Sequence, residues 1–140
     1  AQCCDVSFDF SDCYTLDYVK EVCPHVRYAF FSGSHLSDEQ LQELIATAHA
    51  AGSEIVGVTL GSKGSLFSKN GVQYREGIRE SQVVDTMGAG DAFISGFLTH
   101  YTKNGDMAAA MSFAADRAAE VCGYYGGIGY PAPLLGYELD

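Results

Sequence analysis

The sequence predicts an α/β domain: a central, mostly parallel sheet flanked by helices. Three observations predict it. Strand-like and helix-like patterns alternate from Cys4 to Leu60. The segment "EIVGVTL", Glu54 to Leu60, is a nearly continuous apolar run, as in a strand covered on both faces. Hydrophobic residues make up 47% of the 140 positions, enough for one buried core and too few positions for two domains.

Taken in order, Cys4 to Phe10 is rich in Val and Phe and reads as a strand. Leu16 to Cys23 reads as a short helix that Pro24 ends. Arg27 to Phe31 ("RYAFF") is the second strand. In "SDEQLQELIATAHAAG", Ser37 is the N-cap, Gln40 its capping-box partner and Gly52 the stop. Leu41, Leu44, Ile45 and Ala48 of that helix share one face. With Glu54 to Leu60 as third strand, the order is β-α-β-α-β, which calls for parallel strands and right-handed crossovers. "SLFSKNGVQYR" then reads as a hairpin around Asn70-Gly71. Ser81 to Val84 reads as one more short strand. A helix runs from Ala89 to about Lys103, Asn104-Gly105 breaks it, and Asp106 caps a last helix, Met107 to Cys122. Gly123 to Gly129 is a flexible loop, and Pro131 and Pro133 make the tail irregular. The opening runs straight into a strand without an initiator Met, as expected of a chain that begins mid-protein.

The formal net charge is −10, with Lys and Arg scattered singly. Such a surface repels polyanions, which argues against nucleic acid or an anionic membrane as partner. A small phosphate ligand remains open, because backbone N–H groups bind anions without any lysine. No signal peptide or apolar span stands out, and a cytoplasmic protein is the expectation. The five cysteines, Cys3, Cys4, Cys13, Cys23 and Cys122, have no C-x-x-C spacing. A zinc site from the first three with His25 matches no common ligand pattern, so buried, reduced thiols are the better reading.

The junction "VVDTMGAGDAFISGF", Val83 to Phe97, concentrates residues that weaken strands and helices. Gly88 and Gly90 allow unusual backbone conformations and close approach of a ligand. N–H groups of the first helical turn then converge on one anion-binding concavity. Asp91 in that turn is the ordinary choice for stabilising a helix start. It is also a base placed beside an anion hole, the pair that phosphoryl transfer to a hydroxyl requires. Two rival glycine motifs fail. The dinucleotide fingerprint would need Gly at Phe93, and "GSKGS", Gly61 to Ser65, lacks the P-loop spacing.

"VVDTMGAGDAF" closely resembles the D-T-x-G-A-G-D signature of the ribokinase-like (PfkB) sugar kinases. "VTLGSKGS", Val58 to Ser65, is similar to that family's T-L-G-x-x-G segment. The resemblance covers essentially the whole chain but only the C-terminal half of the family's usual length. "FDFSD", Phe8 to Asp12, together with "DTMGAGD" is most similar to the members that phosphorylate fructoselysine. The resemblance implies ATP-dependent phosphorylation of a sugar hydroxyl, with Asp91 as base and the backbone of Gly88, Ala89 and Gly90 as anion hole. It implies a nucleotide site lined by Thr59, Gly61, Ser62 and Gly64, with Gly90 at the phosphates. Asp85 and the Met87 carbonyl match positions that in many members hold a monovalent cation, usually K+, with further carbonyls from the Gly123 to Gly129 loop. Ala115 falls near the adenine pocket, where simple packing is the plainer reading.

The chain also departs from the family. Where members carry N-x-x-E, whose Glu helps position Mg2+, this chain has Ser32 and His35. Asp38 and Glu39 are better explained as first-turn helix charges. Mg2+ is therefore expected to come with ATP rather than from visible ligands. The missing half would carry the lid and most sugar contacts, so the chain alone is expected to have little or no kinase activity. Uncovered sheet edge and apolar surface favour pairing with that half or self-association. The alternatives are a non-catalytic nucleotide-binding or interaction module, and a ribokinase-like kinase of a nucleoside or vitamin.

Overall fold

A computed structural model describes residues 3–127. The chain divides into two compact units, Ala1–Ile78 and Arg79–Asp140, each described by itself.

The first unit is built on five strands: β1 Ser7–Asp9, β2 Tyr28–Ser32, β3 Ile55–Thr59, β4 Ser65–Lys69 and β5 Val72–Glu76. Their spatial order follows the chain, β1-β2-β3-β4-β5. β1 to β3 are parallel, as the two intervening helices require, and the hairpin β4–β5 continues the same sheet antiparallel. The expected α/β class is thus realised as a mixed sheet.

Helices α1 Leu16–Val22 and α2 Asp38–Ala51 fill the crossovers. Val19, Leu41, Leu44, Ile45 and Ala48 of these helices form one core with Ala29, Phe31, Val56, Val58 and Leu66 of the strands. Each large side chain so buried contributes about 1.5–3 kcal/mol. The capping box of α2 is complete: the Gln40 amide donates to Ser37 Oγ at 3.2 Å, and the Ser37 amide donates to Gln40 Oε1 at 2.9 Å. At the other end of α2, the half-buried His49 ring joins the Ser53 carbonyl and Ser68 Oγ, each at 2.9 Å.

Several boundaries differ from expectation, β3 among them, which is Ile55–Thr59 where Glu54 to Leu60 was expected. β1 is confined to Ser7–Asp9 because Cys4 and Asp5 find no ladder partner on β2. α1 stops at Val22, and Pro24 sits in a separate 3-10 turn, Cys23–His25, near whose start a missing N–H is harmless. β2 is shifted by one residue, from the expected Arg27 to Phe31 to Tyr28–Ser32. The cysteine expectation also needs correction. All five are free, but Cys3, Cys4 and Cys13 are exposed, since they stand in the short connections around β1. Cys23 alone is fully buried, and burial pushes its thiol pKa up.

The second unit holds two long helices, α3 Ala89–Asn104 and α4 Met107–Cys122. Gly105 ends the first, and the Asp106 carboxylate caps the second by accepting the Ala109 amide at 3.0 Å. The two pack closely where Gly96 faces Ala114 and the Arg117 stem. Arg79 reaches α4, donating to Asp116 Oδ1 and Ser112 Oγ, each at 2.7 Å. The strand expected at Ser81–Val84 does not form. The Val84 and Asp85 amides instead donate to the Cys122 carbonyl at the end of α4, and among the described residues no strand pairs with this segment, so Val83 and Val84 stay exposed. A kinked turn, Tyr125–Gly127, follows α4; the rest of the expected Gly123 to Gly129 loop, with Pro131 and Pro133, lies outside the described residues. Among the described residues, no helix is long and apolar enough to cross a membrane.

Candidate active site

The start of α3 is built by Gly88. Its φ of 77° lies in the left-handed region, which turns the chain from the Asp85–Met87 lead-in into the helix. Gly88 has no side chain to cap the helix, so the first-turn amides are left to other acceptors. The Ala89 amide is taken by the Thr86 carbonyl at 3.2 Å. The amides of Gly88, Gly90 and Asp91 find no acceptor among the described residues. A Cβ placed on Gly90 would meet nothing within 4 Å, so there is room for a ligand to approach the backbone there. Asp91, also in this turn, is exposed. Of the three residues expected to form an anion hole, Gly88, Ala89 and Gly90, the Ala89 amide is thus already engaged, whereas the Asp91 amide, like those of Gly88 and Gly90, has no acceptor among the described residues.

Behind this turn lies Asp85. Its Oδ1 accepts the Met87 amide and its Oδ2 the Gly126 amide, each at 3.0 Å. The Met87 hydrogen bond, then that of Gly126, holds the carboxyl pKa below its ordinary value. The Met87 carbonyl packs against the same turn, where a Cβ on Gly127 would come within 2.9 Å of it. The two expected cation ligands, Asp85 and Met87, therefore share one corner with the turn after α4. A carboxylate has about four acceptor positions, so two amides leave Asp85 with capacity for a cation. This donor set of carboxylate and carbonyl oxygens suits a hard cation. The resemblance assigned this loop carbonyl oxygens near Asp85; that the Gly126 amide instead donates to Asp85 was not legible in the sequence.

The second expected segment lies in the first unit. Thr59 ends β3, half-buried, and its Oγ1 donates a long 3.4 Å bond to the Phe31 carbonyl. Gly61–Lys63 form a 3-10 turn, closed by bonds from the Leu60 amide to the Gly64 carbonyl and from the Gly64 amide to the Gly61 carbonyl. Gly64 has a φ of 86°, and a Cβ there would come within 2.0 Å of the Glu76 carbonyl oxygen, so the segment is pinned onto the end of β5. Gly61 and Ser62 are exposed beyond the carboxyl end of β3, where open α/β sheets bind ligands.

Other expected positions fall as follows. Ser32 is half-buried at the end of β2, and exposed His35 stands near the Tyr14 ring. Asp38 and Glu39 occupy the first turn of α2. Ala115 is buried in α4. Among the described residues, no group of three or more His, Cys, Asp or Glu side chains is placed to hold a metal ion.

Residues 9–133 match the family model described as "pfkB family carbohydrate kinase". The chain is 47% identical over 135 residues to fructosamine kinase FrlD of Bacillus subtilis (strain 168), covering 96% of this chain and 46% of that protein. It is 34% identical over 120 residues to fructoselysine 6-kinase of Escherichia coli (strain K12), covering 86% and 46%. Among solved structures, the microbiome-derived acarbose kinase Mak1 superposes with a TM-score of 0.76 at 32% identity, over 87% of this chain and 43% of that one. Arabidopsis thaliana ribokinase, solved with ribose and ATP, gives a TM-score of 0.73 at 25% identity, over 87% and 42%. The chain spans about half the length of the curated relatives it matches.

Proposed function

This chain belongs to the pfkB family of carbohydrate kinases, and we propose that it forms the C-terminal part of an enzyme that phosphorylates a sugar hydroxyl with ATP. Asp91 takes the proton of the attacking hydroxyl, whose oxygen then bonds to the γ-phosphorus while the bond to ADP breaks. The amides of Gly88, Gly90 and Asp91 receive the charge on the phosphoryl oxygens, preorganised by the helix start. Thr59, Gly61, Ser62 and Gly64 line the nucleotide. Asp85 and the Met87 carbonyl would hold a monovalent cation, whose charge would steady the adjoining anion hole. Mg2+ would come with ATP and neutralise its phosphate charge. The identities to fructosamine and fructoselysine kinases favour a sugar-amine conjugate as acceptor.

One observation carries the reading: unpaired first-turn amides, open space over Gly90 and an exposed Asp91 lie within a single helical turn. Replacing Asp91 with Asn in the full-length polypeptide is expected to lower turnover by about 10²–10⁴-fold with nucleotide affinity retained. Undiminished turnover removes Asp91 as base. The chain alone is expected to turn over little or no substrate, since most sugar contacts would lie in the other half. β1, which pairs only with β2 among the described residues, is where that half or a second copy would add.

A second reading, a binding module without catalysis, draws on the partial coverage of the relatives. Nucleotide binding without turnover in the full-length polypeptide would favour it. A nucleoside acceptor draws on the 27% identity to a cytidine kinase of Thermococcus kodakarensis (strain ATCC BAA-918 / JCM 12380 / KOD1). Product analysis with fructoselysine and cytidine separates the acceptors.

A further inference from the structure

Ser65 opens β4 at 2% exposure, and its Oγ is a buried side-chain atom with no hydrogen-bond partner among the described residues. A buried hydroxyl left unpaired is costly, and natural structures rarely keep one without a use. The antiparallel register sets Ser65 directly opposite Thr59 on β3. Residues so paired share a face of the sheet, with Cβ atoms about 4.5–5.5 Å apart. The two hydroxyls are therefore one side-chain rotation from a mutual hydrogen bond. Thr59 is itself weakly held, by the 3.4 Å bond to the Phe31 carbonyl.

We propose that Ser65 is a positioning residue for bound nucleotide: its hydroxyl donates to Thr59 Oγ1 and fixes the rotamer in which Thr59 donates to a phosphate oxygen. The inference rests on the reading of Thr59 to Gly64 as nucleotide-lining. The direction follows from proton supply. Phosphate oxygens accept, so Thr59 must spend its one proton on them and give up the Phe31 carbonyl. Thr59 Oγ1 keeps its lone pairs in either arrangement, and Ser65 has an unused proton to give to the turned rotamer. Gly64, pinned against Glu76, keeps the Ser65 backbone in place, so only the hydroxyl needs to turn. On nucleotide binding, the Ser65 hydroxyl thereby gains Thr59 Oγ1 as its acceptor.

The test is calorimetric titration of Mg-ATP and Mg-ADP into the full chain, with thermal unfolding of the nucleotide-free proteins alongside. Ser65→Ala is expected to weaken nucleotide binding about threefold to tenfold, the effect of one hydrogen bond. It should leave the nucleotide-free melting temperature unchanged or raised, because an unpaired buried group has been removed. Ser65→Cys, close in shape but a poor donor, should bind like the Ala variant. In a Thr59→Val background, Ser65→Ala should cost nothing further. Wild-type affinity in Ser65→Ala overturns the inference, as does an additive loss in the Thr59→Val background. A loss matched by a lower nucleotide-free melting temperature also overturns it, marking a packing role. No binding by wild type overturns the nucleotide-lining reading and the inference with it.

Discussion

Asp85 Oδ2 accepts the Gly126 amide at 3.0 Å, tying the lead-in of α3 to the turn after α4 across forty-one positions of sequence. With the Met87 amide on Oδ1, this bond makes Asp85 the residue that ties together the corner beneath the first turn of α3.

Acid should loosen that corner. Both amides favour the charged carboxylate, so its folded-state pKa is depressed. A depressed carboxylate pKa gives stability that is fully present above the unfolded value, about 3.9, and lost as pH falls through the folded value. Asp85→Asn should therefore melt below wild type at neutral pH, with the gap closing at about pH 2. A gap of equal size at both pH values would refute this assignment.

The two glycines of the signature should separate in their effects. Gly88→Ala places a side chain at positive φ and against the Gly127 backbone, and should cost about 1–3 kcal/mol of stability. Gly90→Ala meets open space and should leave unfolding within about 1 kcal/mol of wild type, while lowering turnover by crowding the phosphoryl position. Denaturant unfolding and kinase assays of the full-length variants check both arms.

Ser37→Ala removes half of the α2 capping box and should destabilise the first unit by about 1 kcal/mol. Chemical denaturation measures it; an unchanged midpoint would mean the cap contributes nothing.

Thiol labelling should sort the cysteines. Cys3, Cys4 and Cys13 should react readily in the folded protein, whereas buried Cys23, with its raised pKa, should react only on unfolding. Mass spectrometry of the labelled peptides reads the order directly.

These cases mark what was legible in the sequence. Local rules read correctly where one short segment decides the outcome. The Ser37–Gln40 box, the Asn70-Gly71 turn, the Asp106 cap and the apolar run of β3 each depend on neighbours in sequence. Long-range pairing was less legible. Val83 and Val84 look like strand residues, but a strand exists only where another strand lies beside it. Cys4 carries no sign of whether β2 extends far enough to pair with it. The Asp85–Gly126 bond and the Ser65–Thr59 juxtaposition arise from tertiary and sheet register, which spacing alone does not state. The signature itself was legible because turn, donors and carboxylate are consecutive.

The central claim is that Asp91 is the base at the anion hole of α3. The direct measurement is phosphate transfer from ATP to fructoselysine by the full-length polypeptide, wild type against Asp91→Asn, at saturating substrates and with ATP affinity measured in parallel. The expected result is product in the wild type, turnover reduced about 10²–10⁴-fold in Asp91→Asn, and ATP affinity within about threefold of wild type. Equal turnover in both proteins would contradict the claim.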